Sequence, residues 1–256
     1  MAITIDFSGQ VALITGGTKG VGKGIAQRFA DAGAQVVVCA RSIPDDLPKN
    51  WAAYPVDLRD ADQAMALIDQ IVERFGHLDM LVNNAGGSPP SDTSTGSANF
   101  AQKIVAVNLF SAMWCSQAAN SHMQNQPNGG SIVNIGSVSA ERPAPTVAAY
   151  GAAKAALANY TRTTGQEWLP KVRVNLVTVG MVRTELAHLH YGDEEGVRRT
   201  GAQIPIGRLA QPTEIGDVCV YLSSPMASYV SGASIEAHGG GDWPPFLDTP
   251  FRDTGK

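Results

Sequence analysis

The sequence predicts an α/β protein built on a doubly wound parallel sheet of about seven strands with helices on both faces. Two observations carry this expectation. Short β-branched apolar runs alternate with longer segments of helical periodicity along most of the 256 residues, and a glycine-rich turn stands between the first such run and the first helix. Neither an internal repeat nor a linker interrupts the alternation, so one domain spanning residues 1–256 is the economical reading.

The strands and helices follow in order. Val11 to Ile14 reads as the first buried strand, and Val21, Ile25, Phe29 and Ala30 recur on one face of the helix after it. Val36 to Val38 and Tyr54 to Val56 are the next strand candidates. The interval from Arg41 to Asp57 holds Pro44 and Pro48 and is too short and broken for a full crossover helix, so only a helical stub is expected there. Asp60 is placed to cap a helix whose core face carries Met65, Ile68, Val72 and Phe75. Met80 to Val82, Ile132 to Ile135, Val172 to Val177 and Ser234 to Ala237 supply the remaining strands, with long helices near Phe100 to Gln124 and Tyr150 to Trp168. Ser88 to Ser97 and the polar stretch Met181 to Ile204 read as surface loops. The tail from Gly239 to Lys256 carries Trp243, Pro244, Pro245, Phe246 and Phe251, which is too apolar for a solvated end and is expected to pack on something.

Composition narrows the function classes. A net charge of −4 argues against nucleic acid or an anionic membrane as partner and leaves a small molecule. Cys39, Cys115 and Cys219 form no CxxC pair, so buried free thiols are expected instead of disulfides or zinc. Met1 to Gln10 has no basic start or long apolar run, and no stretch approaches the roughly 20 apolar residues that span a bilayer, so a cytoplasmic enzyme is expected. His188 and His190 have no carboxylate or cysteine ligand at convincing spacing, and no metal is expected.

After the first strand comes Thr15-Gly16-Gly17-Thr18-Lys19-Gly20-Val21-Gly22. Glycines here allow a tight turn and bring backbone N–H groups against a pyrophosphate at the positive end of the following helix. The spacing is TGxxxGxG, and with it the chain resembles the short-chain dehydrogenase/reductase family, in its short branch similar to 3-oxoacyl-[acyl-carrier-protein] reductases. Asn83-Asn84-Ala85-Gly86 looks like that family's NNAG motif and Tyr150-Gly151-Ala152-Ala153-Lys154 like its YxxxK, with Ser137 thirteen residues before the tyrosine. The resemblance runs from about Gly9 to Gly240. It implies a Rossmann-type sheet with strand order beginning 3-2-1-4-5-6, a nicotinamide cofactor and, commonly, a homotetramer. It also implies cofactor contacts from Gly16, Thr18, Gly20, Val21 and Gly22, from Asp57 and Leu58 near the adenine, and from Asn84, Ala85 and Gly86. Tyr150 and Lys154, with Gly180, Val182 and Thr184, would flank the nicotinamide end.

Which nicotinamide cofactor is favoured has a physical reading. An acid at the end of the second strand would bond the ribose of NAD and repel a 2′-phosphate. Here that end reads Val38-Cys39-Ala40-Arg41, and Lys19 stands in the glycine turn. Two cations and no anion favour NADP(H) over NAD(H).

Adding hydride to a carbonyl leaves negative charge on oxygen, so the site needs a proton donor and a hydrogen-bond donor aimed there. Tyr150 and Ser137 have these chemistries. A phenol is too weak an acid near neutrality, and a cation favours its anion; Lys154, four residues on and on the same helix face, is expected to lower the Tyr150 pKa. Asn108 looks like the family's fourth member, which orders a water and Lys154 into a proton relay. Where the family usually has Pro-Gly after the sixth strand, this chain has Val179-Gly180, which is expected to loosen the turn. The 181–204 stretch is expected to act as a substrate lid. The reading is thus a carbonyl or secondary-alcohol oxidoreductase, its substrate a 3-oxoacyl thioester or another hydrophobic ketone. A non-catalytic NADP(H) sensor and an NAD-dependent alcohol or steroid dehydrogenase remain as alternatives.

Overall fold

A computed structural model describes residues 4–185 and 187–243. β1 (Val11–Thr15), β2 (Gln35–Ala40), β3 (Ala52–Pro55), β4 (Met80–Asn83), β5 (Gly130–Ile135), β6 (Val172–Val179) and β7 (Ser234–Ala237) form one sheet in the order β3-β2-β1-β4-β5-β6-β7, every neighbouring pair parallel. Strand order therefore reverses between β1 and β4, and a crevice opens there beyond the carboxyl ends of the strands.

The continuous apolar runs have a direct cause. In β1, Ala12 and Ile14 face one core while Val11 and Leu13 face the other, and Val36 and Val38 oppose Val37 and Cys39 in β2 in the same way. Helix α1 (Gly20–Asp31) buries Ile25 and Phe29 in the first core together with Ile215 and Cys219 of α8 (Pro212–Ser223). The second core takes α2 (Ala61–Phe75) and α4 (Ser111–Met123). Each fully buried Leu, Ile or Phe contributes about 1.5–3 kcal/mol.

Four expectations need correction. Asp60 does cap α2, its Oδ1 accepting from the Gln63 N–H at 3.1 Å, but the buried face is Ala64, Leu67, Ile68 and Ile71. Met65 is 43% exposed, and Val72 and Phe75 lie only at the core's margin. The small Ala64 lets α4 approach closely enough for the Cys115 thiol to reach its carbonyl at 3.9 Å, and that contact sets the helix's rotation. Residues 41–51 form turns with no helical stub, Pro44 and Pro48 disfavouring helical backbone in the residues just before them.

The 181–204 stretch is not simply a loop. It holds α6 (His188–Tyr191) and α7 (Glu194–Gly201), with Asp193 Oδ1 accepting from Gly196 N–H at 2.9 Å. Val197 joins Ala187, Ile204 and Leu209 in a small separate core. The turn after β6 is not loosened either: Val179 continues the strand opposite Ala237, and Gly180 N–H donates to Ala237 O at 3.1 Å.

The long helix expected near Phe100 to Gln124 is α3 (Ala98–Val105) running through a π-helical segment, Ala106–Phe110, into α4. Its partner is α5 (Ala148–Glu167). The three cysteines are free and buried, and burial pushes the Cys39 thiol up to about 12. Of the apolar tail, Pro244, Pro245, Phe246 and Phe251 lie outside the described residues. No helix among the described residues is long and apolar enough to cross a membrane.

Candidate active site

The crevice is a cleft of about 790 Å³, and all the residues singled out for the cofactor line it, from Gly16 and Lys19 to Val182 and Thr184. Its floor is tied together by Thr15, the first residue of the glycine-rich motif, whose side chain carried no expected role. The Thr15 hydroxyl accepts the N–H groups of Asn84 (2.9 Å) and Ala85 (3.0 Å), while Asn84 Nδ2 donates to the Thr15 and Gly16 carbonyls at 2.9 and 3.3 Å. The side chain of Asn84 is therefore committed to holding the glycine turn against the end of β4. A Cβ on Gly22 would stand 2.3 Å from the Gly16 oxygen and 2.4 Å from Asn84 Nδ2, so only glycine fits. Gly20, at φ +55°, begins α1 with its N–H turned outward to an anion, the Glu185 carboxylate at 2.8 Å.

Across the cleft, β5 ends at Ile135 and Ser137 follows. Ser137 caps a 3-10 turn, its Oγ accepting from Ser139 N–H at 3.2 Å, and its hydroxyl stands near enough to the Tyr150 phenol to act on its ionisation. Tyr150 and Lys154 share one face of α5, with Lys154 Nζ 5.7 Å from the Tyr150 ring centre. The ammonium is buried and donates to Ile135 O at 2.7 Å. Asn108 does not line the cleft. It lies in the π-helical segment behind it, where Oδ1 accepts from Gly87 N–H at 2.8 Å and Nδ2 donates to the Gly87 and Ile104 carbonyls, both at 2.9 Å. Gly86 stands between Asn108 and Lys154: a Cβ there would lie 2.4 Å from Asn108 Oδ1 and 3.4 Å from Lys154 Nζ.

Residues 16–241 match a family profile described as enoyl-(acyl carrier protein) reductase. An uncharacterized oxidoreductase of Mycobacterium tuberculosis is 35% identical over 95% of this chain and 96% of its own length. A 3-oxoacyl-[acyl-carrier-protein] reductase of Vibrio cholerae is 32% identical over 92% and 98%. The ligand-free structure of the Thermoplasma acidophilum aldohexose dehydrogenase superposes with a TM-score of 0.87 at 29% identity, covering 93% of this chain and 96% of that one. The chain belongs to the short-chain dehydrogenase/reductase family. It is accordingly an oxidoreductase acting on CH–OH groups with a nicotinamide cofactor.

In this short-chain dehydrogenase/reductase the electrostatics of the tyrosine differ from the expectation. Burial raises the Tyr150 pKa above that of an ordinary phenol, the nearby Ser137 hydroxyl offsetting part of the rise. Burial also lowers Lys154 to about 8, its hydrogen-bond partner among the described residues being the neutral Ile135 carbonyl. Desolvation thus shifts each group toward its neutral form. Asp57 is held in an ion pair. Both of its oxygens accept from Arg59, with Nε at 2.9 and 3.1 Å and Nη2 closer still, and this pairing holds the carboxyl below the usual carboxylate range. Arg59 gave no signal in the sequence beyond its charge.

Beside the Lys19 and Arg41 end of the cleft a second cavity of about 1140 Å³ shares those two residues and adds Lys23 and Ser42. Lys23 is paired with Asp46 at 3.4 Å. Gly180 fits against His238, which a Cβ would approach to 2.7 Å. Among the described residues no three His, Cys, Asp or Glu gather as metal ligands; His188 Nδ1 lies 3.1 Å from Glu185 O, and the His190 side chain is outside the described set.

Proposed function

We propose that this enzyme interconverts a hydrophobic ketone and its secondary alcohol with NADP(H), with Tyr150 moving the proton. One observation carries the reading: Ser137, Tyr150 and the buried Lys154 line a single cleft with an open glycine turn. The turn suits a dinucleotide. Gly20 presents its N–H to an anion, and a Cβ there would meet nothing closer than 3.5 Å, so space remains over the end of α1. Thr18, Val21 and Gly22 would accompany it around the pyrophosphate, Asp57 and Leu58 would flank the adenine, and Asn84, Ala85 and Gly86 the ribose. Gly180, Val182 and Thr184 would flank the nicotinamide, which when bound exchanges a hydride with the substrate carbon.

The remaining steps belong to the chain. In reduction Tyr150 gives its proton to the developing oxyanion and Ser137 donates a hydrogen bond to the same oxygen; in oxidation Tyr150 accepts the proton. Lys154 stabilises the phenolate so formed, because a buried ammonium whose hydrogen-bond partner among the described residues is a carbonyl has its charge uncompensated until an anion appears nearby. Asn108 fixes Gly87 and the backbone next to Lys154, a positioning role that its committed amide favours over direct relay through the side chain.

NADP(H) preference is supported by Lys19 and Arg41, with Lys23 and Ser42, around the second cavity, and by the absence of an acid at the end of β2. The 3-oxoacyl-[acyl-carrier-protein] named for the Vibrio cholerae relative and the Pro89, Phe100, Val107 and Tyr191 lining support a 3-oxoacyl or similarly apolar ketone. We also infer a homotetramer formed through α4 and α5, which a single monomeric mass in light scattering would reject. The deciding experiment measures kcat/KM with NADPH and NADH over a panel of ketones. Higher efficiency with NADPH is expected. Preference for NADH would overturn the cofactor assignment, and tight NADPH binding without any turnover would promote a sensor.

A further inference from the structure

We infer that Glu185 is a resident anion of the pyrophosphate seat, a carboxylate that the incoming dinucleotide must displace and that thereby sets cofactor affinity. The inference rests on the cofactor reading above. Helix α1 has no acid in its first turn, and its N-cap residue Lys19 supplies no side-chain acceptor. The carboxylate at the positive end of this helix arrives from 165 residues away, Glu185 Oε1 accepting from Gly20 N–H at 2.8 Å. Glu185 is exposed and lines both the cleft and the second cavity, so it stands in the path of an entering ligand and is not part of a packed wall.

A phosphate and a carboxylate satisfy the same demand at a helix N-terminus, where outward N–H groups and the dipole favour negative charge. Gly20 has one N–H, and two anions sharing it would repel each other. Pyrophosphate therefore takes the place of Glu185 and does not add to it. The segment that carries Glu185 is held before that residue by Arg183 N–H donating to Ala210 O at 2.8 Å and Ala210 N–H to Met181 O at 3.0 Å, and after it by Ala187, which is buried in the small core and donates its N–H to Thr184 O at 3.0 Å. Beyond Glu185 the chain enters α6, whose Tyr191 lines the cleft. Exchange of Glu185 for pyrophosphate consequently releases one tether of the segment over the substrate side in the same step that loads the cofactor.

The test is equilibrium binding of NADPH, by calorimetry or fluorescence titration, to wild type and to Glu185→Gln. An exposed carboxylate at a helix N-terminus is replaced at a gain of about two- to fivefold in ligand affinity, and the gain narrows at high salt. We therefore expect a lower Kd in Glu185→Gln, converging on wild type as salt rises, and a shift of the Gly20 amide resonance in the cofactor-free variant. If wild type binds NADPH and Glu185→Gln binds it equally or more weakly, the inference is overturned while the cofactor reading stands. If neither protein binds any dinucleotide, the cofactor reading falls and the inference with it.

Discussion

Replacing Lys154 by methionine is expected to stabilise the cofactor-free protein while destroying its activity. Wild-type Lys154 is 3% exposed, and burial brings its pKa from 10.5 to about 8. The difference, 10.5 minus 8, is about 2.5 units, so keeping the ammonium charged below pH 8 costs the folded state about 3 kcal/mol. Methionine has a similar length and no charge, but it leaves Ile135 O without its 2.7 Å donor, a loss of about 1–2 kcal/mol. The net expectation near neutral pH is a gain of about 2 kcal/mol. The pH dependence has a definite sign. Between about 8 and 10.5 the unfolded chain holds a proton on Lys154 that the native protein lacks, so wild-type stability rises with pH through that window and the advantage of Lys154→Met shrinks. Urea denaturation of both proteins without dinucleotide, near pH 7 and near pH 10, measures it; contributions from groups common to both, such as Tyr160, pushed up to about 12, cancel in the difference. A variant less stable than wild type near pH 7, or an advantage unchanged with pH, would refute the argument that a desolvated ammonium waits in this site for an anion.

Two further substitutions test the backbone geometry. Gly22→Ala places a methyl 2.3 Å from the Gly16 oxygen and 2.4 Å from Asn84 Nδ2, so it should cost about 1–3 kcal/mol in thermal or chemical unfolding and abolish NADPH binding in a titration. Thr146 is a β-branched residue held at φ +70°, its carbonyl accepting from Ser91 N–H at 2.8 Å; Thr146→Gly should relieve strain and gain about 0.5–1 kcal/mol in a melting experiment.

The strands were legible because a sheet covered on both faces demands continuous β-branched runs, and Val36 to Val38 or Val172 to Val177 permits little else. The glycine turn could be placed because it stands between a strand and a helix, whereas the Ser137, Tyr150 and Lys154 set was reached through the family resemblance. What escaped depended on partners distant in the chain. The rotation of α2 follows from Ala64 meeting Cys115, so a ladder of large residues was a poor guide. Helix α7 did leave a signal, since Asp193 followed by Glu194 and Glu195, with Arg198 and Arg199 in the last turn, suits the helix dipole at both ends. Thr15, Arg59 and Glu185 act through contacts that no spacing encodes, and the direction of the Tyr150 shift depended on burial, which a sequence does not state.

The central claim, that the Tyr150 hydroxyl carries the proton, is tested most directly by Tyr150→Phe, measured in parallel for NADPH binding and for single-turnover ketone reduction. The account predicts a Kd within about twofold of wild type and a rate lower by about 10²–10⁴-fold. Reduction at a near-normal rate by the phenylalanine variant would contradict it.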